Sequence, residues 1–214
     1  MTISSQLADG ASTEGQKERT NLLIGVANDL LDDSGLEGLT IRAVLTRSGL
    51  ARRAFYEQFD GKDDLVLAVF EQTLRNAAEH FAKEAADLGD PIEAMRRIVT
   101  GLALGKVGFG GTDTGRRAAA LSREHLRLAE SRPRDLQAAL NPLLSLLAQL
   151  IESGVADGTM RPCEPQMQAR LVYNFVAATV HVELLADEGG MPDRAKREVL
   201  AGTLWEFCRR ALIA

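Results

Sequence analysis

The chain has 214 residues, 45% of them hydrophobic and 26% charged, and carries a net charge of −5. This composition excludes a disordered chain, and no run of about 18 apolar residues marks a transmembrane helix. The acidic balance excludes an all-over cationic nucleic-acid binder but leaves room for a local basic face. The chain has 30 Ala and 31 Leu against 7 Ile and 12 Val. Ala and Leu lose little on entering a helix, whereas β-branched residues suit strands, so an all-α fold is expected. The two cysteines, Cys163 and Cys208, form no CxxC pair and have no His at ligand spacing. Neither a disulfide framework nor a metal site is expected, and a reducing cytoplasm fits.

Residues 1–16 are polar, rich in Ser, Thr and Gly, and lack the apolar stretch of a secretory signal. They read as a disordered N-terminal arm. Apolar residues then recur at helical spacing from about Lys17 to Ser34, with Gly35 placed to end the helix. Thr40 is a natural N-cap for a short second helix, which Ser48-Gly49 breaks. A third short helix covers about Ala51 to Gln58, anchored by Leu50, Phe55 and Phe59. From residue 63 the helices lengthen, at about 63–88, 91–107, 116–130, a stretch reaching 156, 166–187 and 193–213. Pro142 either kinks the seventh of these nine helices or begins its main part. The expected organisation is an arm (1–16), a three-helix domain (17–62) and a larger helical domain (63–214).

Helix, Gly-containing turn and helix over about 39–58 is helix-turn-helix spacing, in which the second helix can enter the DNA major groove. From Thr40 to Lys62 the positives are Arg42, Arg47, Arg52, Arg53 and Lys62, and the negatives are Glu57 and Asp60. The stretch therefore nets +3 inside a chain of −5. Its run Ser48-Gly49-Leu50-Ala51-Arg52-Arg53-Ala54-Phe55-Tyr56-Glu57-Gln58-Phe59-Asp60-Gly61-Lys62 resembles the signature of the tetracycline-repressor (TetR) family. The resemblance is specific over about residues 17–75.

It implies that Thr40 caps the second helix and touches a phosphate, that Tyr56 and Lys62 meet phosphates, and that Arg52 reaches guanine edges. Arg42 joins them as part of the basic face. Three positions depart from the family pattern. Ala51 replaces a Ser or Thr cap, Arg53 adds a second cation at the groove, and Ala54 replaces a Thr or Ser. Glu57 reads as a surface acid or an orienter of Arg53.

A helix-turn-helix monomer binds weakly, so a homodimer on a double-stranded operator is expected. The interface candidates form two stripes on the last two helices: Leu171, Phe175, Ala178, Val182 and Leu185, then Leu200, Leu204, Phe207, Cys208 and Ala211. Together they would build a four-helix bundle, as the resemblance implies. A small-molecule effector, mainly apolar, would lie in the larger domain near Phe81, Met95, Leu102, Phe109, Leu121, His125, Leu147 or Phe175, with His125 and His181 as polar anchors. No cofactor is expected. No GxSxG, HExxH or Walker loop supports an enzyme. The expectation is a ligand-responsive DNA-binding transcriptional regulator, a repressor, in the cytoplasm and without a membrane partner. The alternative is a helical adaptor, or a constitutive regulator whose larger domain only dimerises.

Overall fold

The computed structural model describes the backbone of residues 3–105, 116–186 and 193–213, and the side chains of 14–105, 117–184 and 193–213. The helices are α1 (Ile3–Gly38), α2 (Ile41–Ser48), α3 (Arg52–Tyr56), α4 (Lys62–Leu88), α5 (Pro91–Leu104), α6 (Arg116–Ser131), α7 (Pro133–Ala156), α8 (Pro165–Ala186) and α9 (Arg194–Leu212). Among the described residues there is no strand, only an isolated bridge between Met160 and Ile213. The chain divides into two compact units, Met1–Val69 and Phe70–Ala214. The division falls inside α4, beyond the boundary expected at residue 62.

In the first unit, Leu23, Ala27 and Leu31 bury one face of α1 completely. They share the core with Leu39, Val44 of α2, Phe55 of α3 and Leu65 of α4. The backbone of residues 3–16 continues α1, where the sequence leads to a disordered arm. Extending a helix already nucleated costs less than starting one, so a polar segment can follow the apolar turns next to it. Gly35, inside α1, kinks it near its end with φ 63°, a left-handed value glycine adopts without strain.

In the second unit α5 packs on α9 and α7, α7 on α8, and α6 on α7 and α8. Phe81, Met95, Ile98, Leu128, Leu143, Leu147 and Ile151 are fully buried there. Asp90 caps α5, accepting from the Ile92 N–H at 2.9 Å, with Pro91 in the first turn. Pro142 sits inside a single α7 that begins at Pro133. Among the described residues α7 is long and apolar enough to cross a membrane, with a mean hydropathy of 1.3 over its best window. Its apolar side is spent on neighbouring helices, Leu143, Leu147 and Ile151 being buried, as in the core helix of a globular unit. After α7 the turn at Gly158 ties the segment before α8 to the end of α9. The Met160 N–H donates to the Gly154 carbonyl at 2.8 Å, and the Arg161 N–H donates to the Leu212 carbonyl at 2.8 Å.

Candidate nucleic-acid interface and internal cavity

α2 and α3 are set by their caps. Thr40 Oγ1 accepts from the Ala43 N–H at 3.1 Å and starts α2. Gly49, with φ 69°, ends it, and its N–H donates to the Leu45 carbonyl at 3.0 Å. Ala51 stands at the N-cap of α3 with extended backbone and no side-chain cap. That is the consequence expected of an alanine in place of Ser or Thr. Ala51→Ser should therefore stabilise the first unit by about 1 kcal/mol, since the backbone already holds the capping conformation. A thermal melt of the two proteins checks it, and an unchanged midpoint would mean that α3 needs no cap.

Phe55 points α3 into the core, with its ring 5.6 Å from that of Phe59. The opposite face is polar. Arg52, Arg53 and Tyr56 are exposed on α3, as are Thr40 and Arg42 at the start of α2. The Arg52 guanidinium lies 5.4 Å from the centre of the Tyr56 ring, and its Nη2 donates to the Tyr56 hydroxyl at 3.4 Å. Arg53 Nε donates to Glu57 Oε1 at 2.9 Å, so Glu57 orients Arg53. The Arg53 side chain is 91% exposed, and a pair so exposed costs little to open.

Two cations of the basic stretch are engaged within the unit instead. Arg47 pairs with Asp33 of α1 at 2.5 Å, which raises the Arg47 pKa through the hydrogen bond to Asp33. Lys62, half-buried in the first turn of α4, donates from Nζ to the Leu36 carbonyl at 3.0 Å. A further bond, from Thr20 Oγ1 to Gln58 Oε1 at 2.8 Å, ties α1 to the end of α3. Sequence reading missed these struts because residues 38 and 26 positions apart carry no local pattern.

The second unit holds a partly open cavity of about 290 Å³. Of the expected ligand residues it is lined by Leu102, Leu121 and His125, and also by His181. Phe81, Met95 and Leu147 are spent in the packed core and do not line it. Phe175 does not line it either, because its ring stacks on Phe207 at 4.5 Å. Phe109 lies outside the described residues. Phe70, Thr73, Ser122 and Tyr173 line the cavity without having been singled out in the sequence. The signal available was a polar residue recurring on an otherwise apolar helix face, as in Ser122 and His125 of α6.

Ser122 Oγ and His181 Nδ1 lie 2.7 Å apart, and the Tyr173 hydroxyl is 3.5 Å from His125 Nδ1. Burial, and secondarily His181, hold the His125 imidazole below its usual pKa. Burial likewise raises the Tyr173 phenol well above its usual range. Both groups therefore stay neutral around pH 7.

The two helical stripes expected at a dimer interface separate in the structure. Leu171, Ala178 and Val182 of α8 are exposed, with Val182 62% exposed, and Phe207 and Ala211 of α9 are exposed with them. Leu204 and Cys208 are not: each is 2% exposed, packed inside its own unit. Burial also pushes the Cys208 thiol up to about 11. Leu200 lines the cavity. On α9 the inward register is Ala201, Leu204, Cys208 and Leu212, and the outward one runs through Val199 and Phe207. Val199, at 71% exposed, was missed. The Leu185 side chain lies outside the described residues. Among the described residues no three His, Cys, Asp or Glu side chains gather to hold a metal ion.

Residues 23–69 match the family described as bacterial regulatory proteins, tetR family. The chain is 32% identical over 84 residues to the HTH-type transcriptional regulator BetI of Stenotrophomonas maltophilia (strain R551-3), covering 39% of this chain and 43% of BetI. That match thus spans less than half of BetI's length. The chain is 22% identical over 172 residues to the HTH-type transcriptional repressor KstR2 of Rhodococcus jostii (strain RHA1), covering 79% of this chain and 80% of KstR2. In fold it is similar to the transcriptional regulator FadR of Bacillus subtilis, solved in complex with stearoyl-CoA, with a TM-score of 0.68 and 14% identity. That likeness covers 89% of this chain and 97% of FadR. The residues matched, 23–69, are those that build α1 to the start of α4, with its helix-turn-helix, and over that segment the chain carries the DNA-binding region of the tetR family of bacterial regulatory proteins.

Proposed function

We propose that the chain is a homodimeric transcriptional repressor that binds double-stranded operator DNA through α3 of each copy and leaves it when a small-molecule effector fills the cavity. The observation that carries this reading is the exposed face of α2 and α3. Thr40 and Arg42 at the start of α2 and Arg52, Arg53 and Tyr56 of α3 are all exposed, on a module that nets +3 between Thr40 and Lys62. Arg52 is the natural reader of guanine O6 and N7, and Thr40, Tyr56 and Lys62 are the natural phosphate contacts. Arg53 adds a second cation at the groove. The exposed stripe of Leu171, Ala178, Val182, Phe207 and Ala211 is the surface offered to a second copy.

The cavity favours an effector over a mere scaffold. KstR2 bears the name of a repressor, and FadR was solved with a bound acyl-CoA, which supports both halves of the reading. α4 offers a route between them. It carries Lys62 in its first turn and Phe70, Thr73, Leu74 and Ala77 of the cavity wall further along one unbroken helix. Displacing that helix is a physical means of coupling. Such a protein is expected to work in the cytoplasm, without a membrane partner.

Selection of bound duplexes from a random pool tests the DNA half. The expected product is an inverted repeat whose half-sites lie about 34–36 Å apart in straight B-DNA. A pool that yields no enriched sequence would favour the protein-binding adaptor. The effector half is tested by linkage. A true effector weakens operator binding by about 5–150-fold, and the operator must weaken effector binding by the same factor. A molecule that fills the cavity and leaves both affinities unchanged would favour the constitutive regulator.

A further inference from the structure

We infer that the cavity of the second unit takes an uncharged, mainly apolar small molecule bearing a hydroxyl or carbonyl group, seated against the Ser122–His181 and His125–Tyr173 pairs. The inference rests on the effector reading above and names the ligand's chemistry.

Its first support is the charge on the wall. Among the described residues, only Glu183 and Arg197 of the lining carry a full charge, one of each sign. Glu183 is already paired with Lys196 at 2.9 Å, and Arg197 also has partners of its own. Among the described residues of the lining, a carboxylate entering the cavity would find no uncommitted cation, and an ammonium no uncommitted carboxylate. Burying a charge without a partner is costly, so both are selected against.

The second support is the polar inventory. Much of the wall is aliphatic and aromatic, through Phe70, Leu74, Leu102, Leu121 and Val176. Against it stand two polar pairs, Ser122 with His181 at 2.7 Å and Tyr173 with His125 at 3.5 Å. Each pair joins a hydroxyl to an imidazole, and each can present a donor or an acceptor by exchanging the tautomer. That suits a hydroxyl, which both donates and accepts, or a carbonyl, which accepts. The low pKa of His125 agrees, since a protonated imidazole would instead welcome an anion. With about 290 Å³ the cavity lies at the small end of ligand pockets, which excludes large headgroups from its interior.

The test uses the full chain at neutral pH and two probe series that differ only in the head. One is linear: 1-decanol, decanoate and decylammonium. The other is compact: 1-adamantanol, 1-adamantanecarboxylate and 1-adamantylammonium. Calorimetric titration should show the alcohol of at least one series binding about tenfold or more tighter than its charged partners. Ser122→Ala should weaken that binding by about five- to tenfold, through loss of one hydrogen bond. Ala177→Phe, which fills the cavity from α8, should abolish it. Circular dichroism confirms that both variants are folded, and the two act independently. Binding of neither alcohol would overturn the inference, as would a carboxylate or ammonium that binds as tightly. An alcohol affinity unchanged in both variants would overturn it too. The effector reading is judged separately by DNA mobility shift. A carboxylate that binds best and releases DNA keeps that reading and sinks this one. An alcohol that binds as expected but leaves DNA affinity unchanged sinks the effector reading and keeps the ligand class.

Discussion

Phe55→Ala should destabilise the first unit by about 3–5 kcal/mol, the cost of emptying an aromatic site in a packed core. Phe55 is fully buried, and α3 spans only Arg52–Tyr56. A helix of five residues has no stability of its own, so it is held by its one buried anchor. At about 0.05–0.15 kcal/mol per residue, a unit of this size has about 3–10 kcal/mol to lose, so the change removes a large share of it. The expected result is a separate low-temperature transition in the melt of the full chain, together with loss of DNA binding. A melt like that of the unaltered protein would mean that α3 is held by its neighbours and not by Phe55.

Leu204→Asp and Val182→Asp introduce the same charge and should have opposite consequences. Leu204 is 2% exposed inside its own unit. An aspartate there leaves a buried charge unpaired, which should cost more than about 3 kcal/mol and yield aggregated or unfolded protein. Val182 is 62% exposed on α8, so the same change should leave the folded protomer within about 0.5 kcal/mol of its original stability. Its effect should fall on assembly, because the aspartate would lie in the apolar surface proposed to meet a second copy. Sedimentation should find a folded monomer. A Val182→Asp dimer would move the interface to another face, and a well-folded Leu204→Asp would mean that α9 is set in a different register.

The ease of reading the first unit and the difficulty of reading the second have one physical cause. The Thr40 cap, the Gly49 turn and the Phe55 anchor are local devices, written within a few residues of what they control. The struts from Lys62 to Leu36 and from Thr20 to Gln58 depend on which helices meet, and no spacing in the sequence announces them. On α9 the two candidate faces overlap, since Leu204 and Cys208 point inward while Val199 and Phe207 point outward. Helical periodicity gives the angle between such residues but not which side meets the core. The cavity was legible only in part. His125 showed as a polar residue among apolar ones, while Phe81, Met95 and Leu147 are indistinguishable by composition from cavity residues and prove to be packing.

The most direct measurement is the affinity of the selected duplex for the unaltered protein and for Arg52→Ala and Lys62→Ala, across a range of salt. Arg52 is exposed on α3, resting on Tyr56. Its loss should weaken specific binding by about 1–3 kcal/mol and relax the preference at one base pair of each half-site. Lys62 is held in place by the Leu36 carbonyl and meets only phosphate in this account. Its loss should weaken all sequences alike and flatten the dependence of log K on log salt by about 1 for each copy. Unchanged operator affinity in both variants would contradict the assignment of α3 as the recognition helix.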